Sequence, residues 1–184
     1  MRDKDVKKPS QPTTHDSRLT THAVSGNAFE RKICRPEDLA ARVAGLKRPL
    51  VFTNGVFDLL HRGHVTYLAQ ARALGASLLV AANSDASARG LGKGAGRPLN
   101  ALEDRLAVLA ALEAVTLVTW FEPETPLELI IAVKPDVLVK GGDWEPGAIV
   151  GAKEVKSWGG AVHSIPLLQG RSTTSLIRRI RGKS

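Results

Sequence analysis

Five short runs that are apolar nearly throughout, separated by segments with helical spacing, constrain this chain more than any other feature. The runs are 50–53, 77–82, 115–119, 136–140 and 161–165. Leu78-Leu79-Val80-Ala81-Ala82 shows the type, with no polar alternation, as expected where both faces of a strand are covered. Helical spacing marks 64–74, 101–112, 126–133, 147–157 and 173–181. Val65, Leu68, Ala69 and Ala73 give the first of these its apolar stripe, and Gly75 is read as its stop. An earlier helix opens at Pro36-Glu37-Asp38, carries Leu39, Val43 and Leu46, and is taken to include Cys34 as a structural residue. Asn100 with Glu103 reads as a capping box, and Thr125 as an N-cap before Pro126. Strands alternating with helices predict an α/β fold, a doubly wound five-stranded parallel sheet with helices on both faces. Ligands in such sheets bind beyond the C-terminal strand ends, where the strand order reverses.

The chain has 184 residues, enough for one domain of 31–184 behind a flexible N-terminal tail of 1–30. That tail is rich in Lys, Pro, Ser and Thr without periodicity, and its His15 and His22 are read as solvated bystanders. It has no apolar core of a secretory signal, and no run approaches the length of a membrane span, so a cytoplasmic protein is expected. A single cysteine excludes an internal disulfide and a cysteine-built zinc site. The net charge of +8 would suit a nucleic-acid partner, but aromatic residues make up only 4% and leave few stacking platforms. Much of the excess sits in Arg178, Arg179, Arg181 and Lys183, at a helix end where cations complement the dipole. Neither a nucleic-acid nor a membrane partner is expected.

Chemistry concentrates in Leu50 to Leu68, LVFTNGVFDLLHRGHVTYL. A strand breaks at Asn54-Gly55, and His61-Arg62-Gly63-His64 opens the next helix. A helix start offers unpaired N–H groups and the positive end of the dipole, and so attracts phosphate. Gly63 removes a side chain where a phosphate would approach, and the two imidazoles can donate to its oxygens. The bland reading is a histidine pair at a cap, or half of a metal site.

Two further segments bear on phosphate. Arg89 to Arg97 reads as a mobile loop whose Lys93 and Arg97 could reach an anion, or as an ordinary linker. Arg171-Ser172-Thr173-Thr174 precedes an apolar-periodic segment, where the hydroxyls either cap the helix or face an anion. Neither GxxxxGK[ST] nor a properly placed GxGxxG occurs.

The HxGH at 61–64 resembles the signature of the nucleotidyltransferase superfamily, in its cytidylyltransferase-like, Rossmann-like branch. The STT at 172–174 is similar to that superfamily's second signature, and three details narrow the likeness. Gly96-Arg97-Pro98-Leu99-Asn100, the following EDRLAVLAAL and the VKGGD of Val139 to Asp143 resemble the D-glycero-β-D-manno-heptose 1-phosphate adenylyltransferases. The likeness runs from about 32 to 181 and is close to the adenylyltransferase half of the bifunctional heptose kinase–adenylyltransferases, here without the kinase domain. Val56 stands where many relatives have cysteine, and Arg171 where a small or apolar residue is usual. The RTxG of glycerol-3-phosphate cytidylyltransferases is missing, which counts against CTP.

The resemblance implies adenylyl transfer from ATP to heptose 1-phosphate, with Mg²⁺ bridging the phosphates, no protein-borne metal site and a homodimer. It assigns His61, His64 and Lys93 to catalysis. It assigns Thr53, Asn54, Gly55, Phe57, Gly63, His64, Arg171, Ser172, Thr173 and Thr174 to the nucleotide. Asp58, Arg97, Lys140, Gly142 and Asp143 go to the sugar phosphate, although Asp58 could merely cap its turn. Trp120, Trp144 and Trp158 either stack on adenine or pack in the core. The alternatives are a CTP-dependent enzyme acting on a polyol or alcohol phosphate, a zinc hydrolase using His61, His64 and His163, and a basic nucleic-acid-binding domain.

Overall fold

Five parallel strands lie in the order β3-β2-β1-β4-β5, with β1 (Leu50–Gly55) at the centre, in a computed structural model that describes residues 27–92, 96–168, 170 and 172–182. The tail up to residue 26, Lys93 and Arg171 lie outside the described residues. The other strands are β2 (Ser77–Asn83), β3 (Leu117–Phe121), β4 (Val137–Gly141) and β5 (Ala161–Ile165). The chain steps outward from β1 to β3, then returns to the far side of β1 for β4, so the order reverses beside β1. That places the switch point, and the crevice it creates, at the C-terminal ends of β1 and β4.

Why the strands read as apolar throughout is visible in the two cores. Leu50 and Phe52 of β1, Leu79 and Ala81 of β2 and Leu138 of β4 face one layer. It is built by α1 (Leu39–Ala44), α5 (Leu127–Val133) and α6 (Ala152–Ser157). Val51, Leu78, Val80, Ala82 and Val139 face the other, against α2 (Arg62–Arg72) and α4 (Leu102–Ala110). Alternate residues therefore bury on opposite sides, and every position of β2 is buried. The outer edge of β3 is covered locally: Ile33 bridges to Val118, and the Cys34 N–H donates to the Val118 carbonyl at 2.8 Å.

Several expectations are corrected. The buried face of α2 is Gly63, Tyr67, Leu68 and Ala71, whereas Val65 is 46% exposed and Ala69 and Ala73 are exposed. Gly75 is not a left-handed stop. A Cβ there would lie 2.4 Å from the Pro49 carbonyl oxygen, so glycine is required for close approach to the segment entering β1. Cys34 precedes the first helix rather than joining it, and burial pushes its thiol up. Ala101 and Pro126 are the N-caps of α4 and α5, without side-chain cap bonds, because Asn100 is drawn into a tertiary contact described below. The 147–157 segment is a 3-10 turn (Pro146–Ala148) followed by α6, divided at Gly151. Gly151 has φ +86°, and a Cβ there would meet Ile130 at 2.7 Å. A short helix, α3 (Asp85–Gly90), occupies the start of the expected loop.

Candidate active site

The turn after β1 is tightly determined. Phe57 takes φ +50°, in the left-handed region that few bulky residues adopt, and its ring is buried against Gly55. A Cβ on Gly55 would lie 3.1 Å from that ring, closer than ordinary contact, so any larger residue there presses on Phe57. His61 then caps α2 in extended conformation, its Nδ1 accepting the Gly63 N–H at 3.1 Å. An imidazole whose Nδ1 accepts carries its hydrogen on Nε2 when neutral, which leaves Nε2–H as a donor. His64, one turn on, stacks beneath it, with ring centroids 4.0 Å apart, and Phe57 meets His64 edge-on at 5.6 Å. Two imidazoles are thus held at the positive end of an 11-residue helix.

Around them lies a cleft of about 620 Å³ at the C-terminal edge of the sheet. Asn54, Gly55, Phe57, Asp58, His61 and His64 line it from the β1 turn, and Lys140 from β4. Arg97 reaches it from one side, and Ser172, Thr173 and Thr174 from another. The Lys140 Nζ donates to Asn54 Oδ1 at 3.2 Å. Ser172 and Ser175 form a reciprocal capping box at the start of α7 (Thr173–Ile180). Thr173 Oγ1 donates to the Leu59 carbonyl at 3.2 Å, which ties α7 to the turn before the histidines. Capping and cleft-lining therefore coexist in this segment.

Four of the remaining expected residues stand apart from the lining. Thr53 is buried beneath it and hydrogen-bonded to the Tyr67 hydroxyl, and Gly63 is buried in the first turn of α2. Gly142 has φ +120° and leads the chain out of β4, while Asp143 is exposed beside it. Lys93 and Arg171 lie outside the described residues. His163 is exposed on the edge strand β5 and does not line the cleft. Among the described residues, no three or more His, Cys, Asp or Glu side chains are grouped to hold a metal ion.

Asp58 is 3% exposed and its carboxylate is fully engaged. Oδ2 pairs with Arg97 Nε at 3.0 Å, and Oδ1 accepts the N–H groups of Leu99 and Asn100 at 2.7 and 3.0 Å. The Asn100 amide donates back to the Asp58 carbonyl at 2.9 Å. The carboxylate thus fastens the 97–100 segment over the β1 turn and orients the Arg97 guanidinium at the cleft.

Tyr67 and part of the wall were missed from sequence. Burial pushes the Tyr67 phenol up to about 12, and its hydroxyl joins Thr53 to the β4 backbone at Val139, 3.4 Å away. It lies three residues beyond His64, a helical step that could have flagged it. A Cβ on Gly141 would come within 3.2 Å of the Tyr67 ring, which accounts for glycine at the end of β4. Asn83, Glu124, Thr125, Ile149 and Val150 also line the cleft. Of the three tryptophans only Trp144 lines the cleft, its Nε1 donating to the Gly141 carbonyl at 3.2 Å. Trp120 and Trp158 pack against the two cores.

A doubly wound parallel sheet whose switch-point cleft presents an HxGH helix start opposite a Ser-Thr-Thr helix start is the architecture of a nucleotidyltransferase. The chain belongs to the cytidylyltransferase-like family, whose model matches residues 52–179. It is 55% identical over 160 residues to D-beta-D-heptose 1-phosphate adenylyltransferase of Bordetella bronchiseptica, covering 86% of this chain and 99% of that protein. It is 48% identical over 179 residues to the bifunctional protein HldE of Pseudomonas syringae pv. syringae, covering 90% of this chain. The match spans only 38% of that longer relative. A solved lipopolysaccharide core biosynthesis protein from Thermoplasma volcanium is similar at 29% identity and TM-score 0.53, over 66% of this chain and 98% of that one.

Proposed function

We propose that this protein transfers the adenylyl group of ATP to D-glycero-β-D-manno-heptose 1-phosphate, releasing pyrophosphate and forming ADP-heptose for the lipopolysaccharide core. The observation that carries this reading is the 55% match along nearly the whole Bordetella adenylyltransferase. The cleft supplies the chemistry. The acceptor is already a phosphate dianion, so no base is required to deprotonate it. One of its oxygens attacks the α-phosphorus in line. A new P–O bond forms as the bond to the β-phosphate oxygen breaks, and pyrophosphate leaves with that electron pair. What the protein must provide is alignment and offset of negative charge.

His61, through Nε2–H, and His64 meet the α- and β-phosphates at the head of α2. Thr173 commits its hydroxyl hydrogen to Leu59, so its contribution to the β- and γ-phosphates is the N–H at the start of α7, beside Thr174. Lys93 and Arg171 are assigned as cations to the leaving phosphates. Lys140 and Arg97 hold the acceptor phosphate, with Asp58 acting through Arg97.

The donors lining the cleft are mainly imidazole, ammonium, guanidinium, amide and hydroxyl. Of its two carboxylates, Asp58 is engaged and Glu124 is exposed on the rim. Such a set suits Mg²⁺ carried in on the triphosphate oxygens with its own waters, with Glu124 as the carboxylate available to that hydration shell. When bound, the ion would neutralise charge on the phosphates. We assign the reaction to the cytoplasm and to a homodimer; among the described residues no helix is long and apolar enough to cross a membrane.

The test is pyrophosphate release from purified protein with Mg²⁺, heptose 1-phosphate and either ATP or CTP. Release that needs ATP and the sugar phosphate together supports the reading. Release with CTP alone would replace the nucleotide, and silence with both would remove the acceptor.

A further inference from the structure

Among the described residues, the largest fully buried side chain is an arginine. Arg105, on α4, is 1% exposed. Burying a guanidinium is unfavourable unless its donors are satisfied, and here they are. Nε donates to the Asn100 carbonyl at 3.1 Å. Nη1 donates to the Val56 and Asn83 carbonyls at 2.7 and 2.9 Å, and Nη2 to Asp85 Oδ1 at 2.6 Å. A planar fork with fixed directions therefore joins three chain segments, the β1 turn, the junction of β2 with α3, and the residue just before α4.

These segments belong to the cleft. Val56 lies in the turn that leads to His61 and His64. Asn83 ends β2 and lines the cleft, and Asp85 opens α3. Asn100 is the residue whose N–H and amide clasp Asp58, which in turn holds Arg97. Fastening a helix to the sheet needs only apolar contacts, and Leu106, Leu109 and Ala110 of α4 already supply them. The guanidinium instead sets the distances between the β1 turn, the end of β2 and the 97–100 segment.

We propose that Arg105 is a positioning residue of the phosphate site, acting through Val56 on the histidine turn and through Asn100 and Asp58 on Arg97. This inference rests on the phosphate-handling part of the function proposed above and not on the identity of the acceptor. A lysine at 105 keeps the charge but is a point donor that cannot span the same four acceptors. The turn and the Arg97 segment then lose their common reference, and misplacement of that kind lowers turnover steeply.

The experiment compares wild type, Arg105→Lys, Arg97→Ala and the double variant, each first shown to be folded by circular dichroism and thermal melting. Two readouts are taken: kcat and KM for both substrates, and calorimetric binding of inorganic pyrophosphate without nucleotide or acceptor. Arg105→Lys is expected to lower kcat about tenfold and weaken pyrophosphate severalfold. Its effect on the KM for heptose 1-phosphate, whose phosphate Arg97 holds, should be much smaller when Arg97 is already removed, since groups acting through one another are not additive. A merely structural role would reduce the active fraction and leave the dissociation constant of the folded protein unchanged. Wild-type kcat and pyrophosphate affinity in folded Arg105→Lys overturn the proposal, and so does a deficit in that KM that multiplies in full with Arg97→Ala. If Arg105→Lys does not fold, Asp85→Asn loosens one arm of the fork, and a smaller loss of both quantities, about threefold, is expected. Unchanged values in folded Asp85→Asn overturn the proposal. Wild type that binds pyrophosphate but does not turn over ATP with heptose 1-phosphate would remove the assigned acceptor and leave Arg105 to be judged on pyrophosphate alone.

Discussion

The two walls of the cleft are built on different principles. The wall formed by the β1 turn and the 97–100 segment is internally bonded: Asp58, Arg97, Asn100 and Arg105 satisfy one another and four backbone carbonyls. The wall formed by the end of β4 and the start of α7 is more open. Ser172 and Thr174 are exposed, α7 has no buried residue, and a serine capping box with the Thr173–Leu59 bond holds its start. The first wall arrives with its geometry set, whereas the second presents helix-start donors that a phosphate can complete. Stability and activity should therefore be linked at Asp58 and its bonded partners in the first wall and separable in the second.

The largest effect is expected from Asp58→Ala in the first wall. It leaves the half-enclosed Arg97 and two backbone N–H groups without their acceptor, and should cost about 3–5 kcal/mol in urea unfolding. A loss below ~1 kcal/mol would mean the internal network does not hold the wall. Next comes His64→Ala, expected to lower turnover about 10²-fold or more with the fold retained. Near-normal turnover would remove the imidazoles from the chemistry.

Tyr67 tests what lies beneath both walls. Its phenol is pushed from 10 to about 12 by burial, so the unfolded chain releases that proton first as pH rises. The contribution is whole below pH 10 and is lost between 10 and 12, amounting to about 2–3 kcal/mol. The melting temperature of wild type should fall more steeply over this window than that of Tyr67→Phe. Parallel curves would contradict the burial argument. The smallest effect sharpens the contrast: Thr174→Ala should weaken ATP binding by about 1 kcal/mol while changing stability by less than ~0.5 kcal/mol. Equal losses in both would make this position a cap rather than a ligand group.

How legible each part was follows from the range of its determinants. The strands were readable because burial on both faces leaves apolar runs, and β2 matched over nearly its full length. The HxGH and Ser-Thr-Thr segments were readable because local spacing puts them at helix starts. Asn100 was misassigned as a cap because its partner, Asp58, is 42 residues away. Arg105 carries no local signal of its role, since three of its four acceptors lie 20 or more residues away. α3 escaped because Asp-Ala-Ser-Ala-Arg-Gly buries only Ala88 and shows no apolar period. Tyr67 was missed by a one-step rotation of the α2 stripe, toward exposed Val65 and Ala69 and away from the face turned to the sheet.

The most direct test of nucleotidyl transfer in this cleft is ³¹P NMR of the full chain with Mg²⁺, ATP and heptose 1-phosphate, run beside His64→Ala. The ATP and sugar-phosphate resonances are expected to decline together as those of pyrophosphate and a nucleotide-linked diphosphate grow, with far slower change in the variant. ATP consumed without a new diphosphate linkage, or equal rates in the two proteins, would contradict nucleotidyl transfer in this cleft.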